Sequence, residues 1–188
     1  MKVLKREVDE ARSKGFDLDA ELFLEKAENL KEMLPHFFDK FSESYSDFEL
    51  VDIEYKLDET VDFVEFDEFD IRFTGYVDVI IKRGDIHYLI DLKSTNKGWG
   101  AWTLKNKKSK TFQMLAYMIF YSKATGIPLS KLRSSYMFFR HKDREIYSVD
   151  MNYTEKDIEE LIRGIRSMCY SAYLSHKYPR AKGCTIRS

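Results

Sequence analysis

The chain has 188 residues and a mass of 22.4 kDa, which is enough for one domain with a sizeable core and too little for two ordinary domains. Hydrophobic residues make up 44% and charged residues 34%, so disordered, collagen-like and low-complexity proteins are excluded. The net charge of -1 hides an asymmetry: residues 1–70 carry 9 basic and 22 acidic residues, and residues 71–188 carry 22 basic and 10 acidic. We expect a single domain over residues 1–188 whose positive charge is concentrated after residue 70.

No apolar run approaches the roughly 20 residues that cross a bilayer, and no apolar segment follows the charged N-terminal sequence. We therefore expect no membrane partner, no secretory signal and a cytoplasmic location. The two cysteines, Cys169 and Cys184, cannot form a disulfide scaffold or complete a four-ligand zinc site by themselves. They are typical of ordinary thiols in a reducing compartment.

The first predicted element is an amphipathic helix from Asp19 to about Phe41, with Pro35 expected to kink or end it. A strand is predicted from Phe48 to Lys56, because apolar and polar residues alternate there. The acidic sequence DETVDFVEFDEFD follows, and we expect it to form an exposed loop before the next strand.

Two strands in the middle of the chain are predicted to form a hairpin. The first runs from Ile71 to Lys82 and the second from Ile86 to Ser94. The sequence Arg83-Gly84-Asp85 between them is typical of a tight turn.

After a basic loop over residues 95–109, a helix is predicted from about Lys110 to Thr125, ended by Gly126. Two β-rich runs follow, over residues 134–140 and 144–151, and then a last helix with Thr154 as its N-cap. The apolar stripe predicted for the first of these helices is Phe112, Leu115, Ala116, Ile119 and Phe120, and that of the second is Ile158, Leu161, Ile162, Ile165, Cys169 and Ala172. This order of elements predicts an α/β or α+β fold with helices flanking a mixed sheet.

The predicted hairpin contains the first group of residues that indicates a chemical function. With a turn at Gly84-Asp85, Asp78 is expected to face Asp91 on the neighbouring strand. Like charges in such positions are destabilising unless something offsets them. Lys93 is expected on the same face as Asp91 because side chains alternate along a strand. Two carboxylates and an ammonium on one surface favour a site for a hard divalent cation such as Mg²⁺.

A second signal lies on the next helix, where Gln113 and Tyr117 are four residues apart and share a face distinct from the apolar stripe. The series Gly75-Tyr76-Val77-Asp78, Asp91-Leu92-Lys93 and Gln113-x-x-x-Tyr117 resembles the PD-(D/E)xK nuclease superfamily, in particular its RecB-like branch with the CRISPR-associated adaptation exonucleases. The resemblance is close over about residues 48–140.

This resemblance implies an α/β, restriction-endonuclease-like core with a mixed central sheet between helices. It also implies that Asp78 and Asp91 bind Mg²⁺ or Mn²⁺, that Lys93 acts at the hydrolytic step, and that Gln113 and Tyr117 order the site and contact DNA. We treat these five residues as the candidate catalytic set.

The family pattern includes a further acidic ligand or a histidine before the sheet, and here the choice stays open. The candidates are Glu7, Glu10, Glu21, Glu25, Glu28, Glu32 and His36. Glu25 and Glu32 are preferred because they flank the apolar stripe, and Glu25 is taken as the third metal ligand. Several RecB-like nucleases hold an iron-sulfur cluster through four cysteines, whereas this chain has two, so we expect no cluster. A bacterial or phage-encoded protein is expected.

From Lys93 to Lys110 there are six lysines and no acidic residue, interleaved with tryptophans and glycines. Lysines can neutralise phosphates and aromatic rings can stack on unpaired bases, so this segment is a candidate DNA-contacting flap. An alternative is a solvated basic loop whose tryptophans pack onto the domain. The predicted nucleic-acid-binding residues are Lys97, Trp99, Trp102, Lys105, Lys107, Lys108 and Lys110.

The sequence thus predicts a metal-dependent DNA nuclease, with exonuclease action on single strands or DNA ends in recombination, repair or replication. A helicase or recombination protein is the expected partner. Two alternatives stay open: a catalytically silent nucleic-acid-binding module of a larger complex, and a metal-binding regulatory domain with a protein partner.

Overall fold

The computed structural model describes residues 13–15, 20–64, 70–95, 108–140 and 145–177. Within these ranges three long helices and five strands follow one another along the chain. The helices are α1 (Ala20–Ser44), α2 (Lys108–Thr125) and α3 (Glu155–Lys177), and the strands are β1 (Glu49–Thr60), β2 (Arg72–Arg83), β3 (Ile86–Thr95), β4 (Leu132–Arg140) and β5 (Glu145–Met151).

The strands form one sheet in the order β1-β2-β3-β4-β5. Helices precede, interrupt and follow the strands along the chain, so the expected α/β class with a mixed sheet is confirmed. No described helix is both long and apolar enough to cross a membrane.

Two compact units can be distinguished among the described residues. The first contains α1 together with residues 93–95, 137–140 and 145–148. The second contains residues 48–64, 70–92, 108–136 and 149–177. A single domain over residues 1–188 stays a prediction.

The predicted hairpin between β2 and β3 is confirmed. The antiparallel register runs from Arg83↔Ile86 at the turn to Val79↔Ile90, as a two-residue turn requires. Gly84 is the first residue of this turn and has a φ of 61°, a left-handed conformation that favours glycine. The central part of the hairpin is covered on both faces, because the neighbouring residues Ile80 and Ile81 are both fully buried.

Strand β1 pairs antiparallel with β2 and lies at the edge of the sheet. It continues to Thr60, four residues beyond the predicted end, so the acidic segment that was expected to be an exposed loop begins as strand. Val61 and Val64 in this segment are buried, and the Val61 N–H donates to the Ile71 carbonyl at 2.8 Å. The exposed-loop prediction is therefore wrong up to Val64, because the valines between the acids pack inward. Residues 65–69 lie outside the described part.

Pro35 does not end helix α1, which continues to Ser44. Proline inside a helix costs about 3 kcal/mol, so packing on both sides of it must offset that penalty. Within the first unit, Met33 is buried before the proline and Phe41 after it, and Phe37 stacks on Phe139 with ring centroids 5.2 Å apart.

Helix α2 is more buried than its predicted stripe implied, because the five successive residues from Met114 to Met118 are all buried. A helix that is buried on all sides lies in a core. Phe120 stacks on Phe73 of β2 with ring centroids 4.2 Å apart. As predicted, the helix ends before Gly126, which has a φ of 73° and donates its N–H to the Ser122 carbonyl at 2.9 Å.

Helix α3 begins after Thr154, as predicted. The Asp157 N–H donates to Thr154 Oγ1 at 3.3 Å, and the Thr154 N–H donates to Asp157 Oδ2 at 2.8 Å, which is a reciprocal cap. Leu161 is buried, but Ala172 is exposed, so the predicted apolar stripe does not continue in the core to that residue.

Candidate active site

The two candidate acids lie where the paired register of the hairpin ends. Val79↔Ile90 is the last paired position, and Asp78 and Asp91 are the next residue on each strand. At this point the Leu92 N–H donates to Asp78 Oδ2 at 2.7 Å, so a side chain takes the place of a backbone acceptor. The structure therefore places the two acids on neighbouring strands, one residue beyond the last recorded pair, and their direct opposition stays a prediction.

The two carboxylates differ in their exposure to solvent. Asp91 is only 2% exposed, whereas Asp78 is half-buried. A buried carboxylate is costly unless hydrogen bonds or a cation stabilise its charge. Asp91 is therefore surrounded by protein, whereas Asp78 on the neighbouring strand is closer to water.

Helix α2 supplies the polar pair that was predicted to face the site. Gln113 Nε2 lies 3.4 Å from Asp91 Oδ1 and 3.1 Å from the Tyr117 hydroxyl, so the amide connects the other two side chains. Tyr117 is 9% exposed, and its ring meets Phe73 edge to face. Asp91, Gln113 and Tyr117 thus form one chain of contacts within the second unit.

Sequence reasoning missed Tyr136 on β4. Its side chain is fully buried, and its hydroxyl donates to the Lys110 carbonyl in the first turn of α2 at 2.9 Å. Burial, and after it the charge of Asp91, raises the pKa of Tyr136 well above its ordinary value. The neutral phenol therefore stays a donor and fixes the helix turn that precedes Gln113. Its role is visible only when β4 and α2 are packed together, because the sequence around Tyr136 is typical of an ordinary buried strand.

Lys93 lies on β3, two residues after Asp91. Lys93 falls in the first unit and Asp91 in the second, so the placement of both on one side of β3 stays a prediction from strand alternation. The Lys93 side chain is half-buried. Its role at a hydrolytic step stays a prediction.

Glu25, the preferred third ligand, lies on α1 in the first unit, and its side chain is exposed. Within the described ranges, no three His, Cys, Asp or Glu side chains come close enough to hold a metal ion. Two carboxylates are nevertheless a suitable protein contribution for Mg²⁺, which commonly takes one or two of them and completes its shell with water and phosphate oxygens. The donor set of Asp78 and Asp91 therefore fits a hard divalent cation, and the third protein ligand stays a prediction.

Most of the predicted DNA-binding flap lies outside the described residues. This holds for Lys97, Trp99, Trp102, Lys105 and Lys107, and also for the side chain of Lys108. Lys110 is described, is half-buried, and accepts the Tyr136 hydrogen bond through its carbonyl.

A family model for the PD-(D/E)XK nuclease superfamily matches residues 2–186 of the chain. No curated protein matches it. Among solved structures, the chain is similar to the crystal structure of SSO0001, with a TM-score of 0.47 and 12% sequence identity. That similarity covers 76% of this chain and 59% of the other.

Proposed function

This chain belongs to the PD-(D/E)XK nuclease superfamily, and we propose from that premise that it is a metal-dependent DNA nuclease that hydrolyses phosphodiester bonds. The observation that carries the proposal is the position of Asp78 and Asp91 at the end of the hairpin ladder, with Gln113 of α2 at Asp91. A buried acid beside a second acid is electrostatically unfavourable for folding alone. Such an arrangement is expected where a cation and a phosphate are bound.

In the proposed site, Asp78 and Asp91 hold a divalent cation, Mg²⁺ or Mn²⁺. When bound, the cation supplies charge neutralisation at the scissile phosphate and lowers the pKa of water. Asp78 already accepts the Leu92 N–H, which orients its carboxylate, and a carboxylate has about four lone-pair sites, so capacity remains for a cation. Gln113 orients Asp91 through its amide.

Lys93 is proposed to act on the phosphate. Strand alternation predicts its ammonium on the side of β3 that carries Asp91, and from there it would donate to a phosphate oxygen and stabilise negative charge in the transition state. The lysine also leaves the site less negative, which favours the approach of a polyanion.

We further propose a RecB-like exonuclease that acts on single strands or duplex ends in recombination, repair or replication. Support comes from the spacing of Gly75 to Asp78, Asp91 to Lys93, and Gln113 to Tyr117, which is similar to that branch. A helicase or recombination protein is the proposed partner, and a bacterial or phage origin is part of the same proposal.

The test uses three labelled DNA substrates of one sequence: a linear single strand, a linear duplex and a covalently closed single-stranded circle. Each is incubated with the protein and Mg²⁺, Mn²⁺ or EDTA. The proposal expects metal-dependent release of short products from the linear substrates and an intact circle. Cleavage of the circle would replace the exonuclease assignment by an endonuclease.

Lys93→Ala and Lys131→Ala form a matched pair for this assay. Lys131 is an exposed lysine that pairs with Asp85 at 2.9 Å at the turn of the hairpin, away from the carboxylates at the end of the ladder. The proposal expects Lys93→Ala to lose cleavage and Lys131→Ala to keep it. DNA binding without cleavage by the wild-type protein would instead support the silent binding module.

A further inference from the structure

Gly75, three residues before Asp78 on β2, faces the ring of Tyr117. A Cβ atom built on Gly75 would lie 2.9 Å from Tyr117 Cε1, closer than a real carbon contact allows. The φ of Gly75 is outside the left-handed region, so the backbone itself does not require glycine there. Glycine is required because the Tyr117 ring occupies the space where a side chain would lie.

The Tyr117 ring has little freedom to move away from such a Cβ. It is nearly buried, and the edge-to-face contact with Phe73 closes one side of it. Phe73 is itself stacked on Phe120, at a centroid distance of 4.2 Å. A methyl group at residue 75 would therefore displace Tyr117 along α2 or outward, together with its hydroxyl.

That hydroxyl is one end of the contact chain that reaches Asp91. The Gln113 amide nitrogen lies 3.1 Å from the Tyr117 hydroxyl and 3.4 Å from Asp91 Oδ1. The second distance is near the upper limit of a hydrogen bond, so a shift of a few tenths of an ångström breaks it. A displacement of Tyr117 is therefore transmitted to the orientation of the Asp91 carboxylate.

We propose that Gly75 is a positioning residue of the nuclease site: its missing side chain admits the Tyr117 ring, and Tyr117 in turn sets Gln113 against Asp91. The inference rests on the proposed function, because it treats Asp91 as a metal ligand. In this inference the glycine of the Gly75-Tyr76-Val77-Asp78 sequence makes room for an aromatic ring and does not form a turn.

The test compares Gly75→Ala with Gly164→Ala. Gly164 lies in α3, where an added Cβ meets nothing within 4 Å, so alanine is expected to leave cleavage and metal dependence unchanged. For Gly75→Ala we expect kcat to fall about tenfold, as for the loss of one hydrogen bond to a charged group. We also expect a higher Mn²⁺ concentration for half-maximal activity and little change in the KM for DNA. A change confined to the melting temperature would contradict the proposal.

A double-mutant cycle with Tyr117→Leu distinguishes a clash with the Tyr117 ring from a nonspecific destabilisation of the fold by Gly75→Ala. Leucine does not extend to the position of the ring carbon, so the clash disappears, whereas Tyr117→Phe retains it. Gly75→Ala should therefore destabilise the wild-type and Tyr117→Phe proteins in urea unfolding and have little effect in the Tyr117→Leu background. Equal destabilisation in all three backgrounds would overturn the inference.

The unfolding cycle does not depend on catalysis, so the two proposals can fail separately. Wild-type protein that cleaves no DNA with any metal overturns the proposed function and, with it, the positioning role. If the wild-type protein cleaves DNA but Gly75→Ala destabilises it equally with tyrosine and with leucine at residue 117, only the positioning role is overturned.

Discussion

Replacing Asp91 by asparagine should raise the stability of the metal-free protein while it removes activity. Asp91 and Asp78 follow the last recorded pair of the ladder. Directly opposite residues on antiparallel strands have Cβ atoms about 5 Å apart, and we take that separation for the two acids. At that distance two unit charges repel by about 3 kcal/mol with an effective dielectric constant of about 20. Because Asp78 is half-buried and still reached by solvent, screening reduces this to about 2 kcal/mol.

The substitution also weakens the contact with Gln113. Its hydrogen bond to Asp91 Oδ1 changes from charge-assisted to neutral, a loss of about 1 kcal/mol. From these two terms the net gain is about 1 kcal/mol, which corresponds to a rise in Tm of about 2–4 °C for a chain of this size.

The assay is thermal unfolding in EDTA and in excess Mg²⁺. In Mg²⁺ the wild-type protein should gain stability, because a cation that binds only the folded state shifts the equilibrium, and Asp91→Asn should lose most of that gain. Asp85→Asn is the matched control: it lies on the same hairpin, but its carboxylate faces Lys131, which lowers the pKa of Asp85, so asparagine there should not stabilise. An Asp91→Asn protein that melts below the wild type in EDTA and keeps the Mg²⁺ response would refute the reasoning.

Three further results are expected. Gln113→Leu should lower kcat about tenfold, because it removes the amide between Asp91 and Tyr117; unchanged cleavage kinetics would count against that contact. Tyr136→Phe should lower the free energy of unfolding in urea by about 1 kcal/mol through loss of the bond to the Lys110 carbonyl, and an unchanged unfolding midpoint would contradict this. Burial, and after it Lys82, lowers the pKa of His87 in the folded protein. Because the unfolded chain then takes up a proton more readily, the free energy of unfolding should fall as pH drops below about 6.5. His87→Gln should flatten this dependence of stability on pH, and an unaltered dependence would exclude His87 as its source.

The hairpin was predictable because its determinants are local. A tight turn at Gly84 fixes which residues face each other, and the register then carries Asp78 and Asp91 to neighbouring positions without any knowledge of the rest of the fold. The cap at Thr154 was predictable for the same reason, since its partner Asp157 is three residues away.

The failures have a different physical origin. Pro35 should disrupt a helix by local rules, but packing of Met33 and Phe41 on either side of it outweighs that preference. Val61 and Val64 lie in an acidic segment whose composition indicates exposure, yet their side chains are buried. In both cases tertiary contacts decide the outcome.

The candidate site was predictable in part. Asp78, Asp91 and the Gln113–Tyr117 pair could be derived from register and helix spacing. The structure places the two acids on neighbouring strands and joins Gln113 to both Asp91 and Tyr117. Tyr136 could not, because its contact with the Lys110 carbonyl joins residues 26 positions apart. The space that Gly75 leaves for an aromatic ring is likewise visible only after β2 and α2 are packed together.

The central claim is that Asp91 is essential for metal-dependent DNA hydrolysis. The most direct measurement is cleavage of end-labelled single-stranded DNA by the wild-type protein and by Asp91→Asn, with Mg²⁺ and with EDTA, after both proteins are shown to be folded by circular dichroism. We predict cleavage by the wild type in Mg²⁺, none in EDTA, and a loss of at least about a thousandfold in the variant, as expected when a metal ligand at the reacting phosphate is removed. Cleavage that persists in EDTA or in the folded variant would contradict the account.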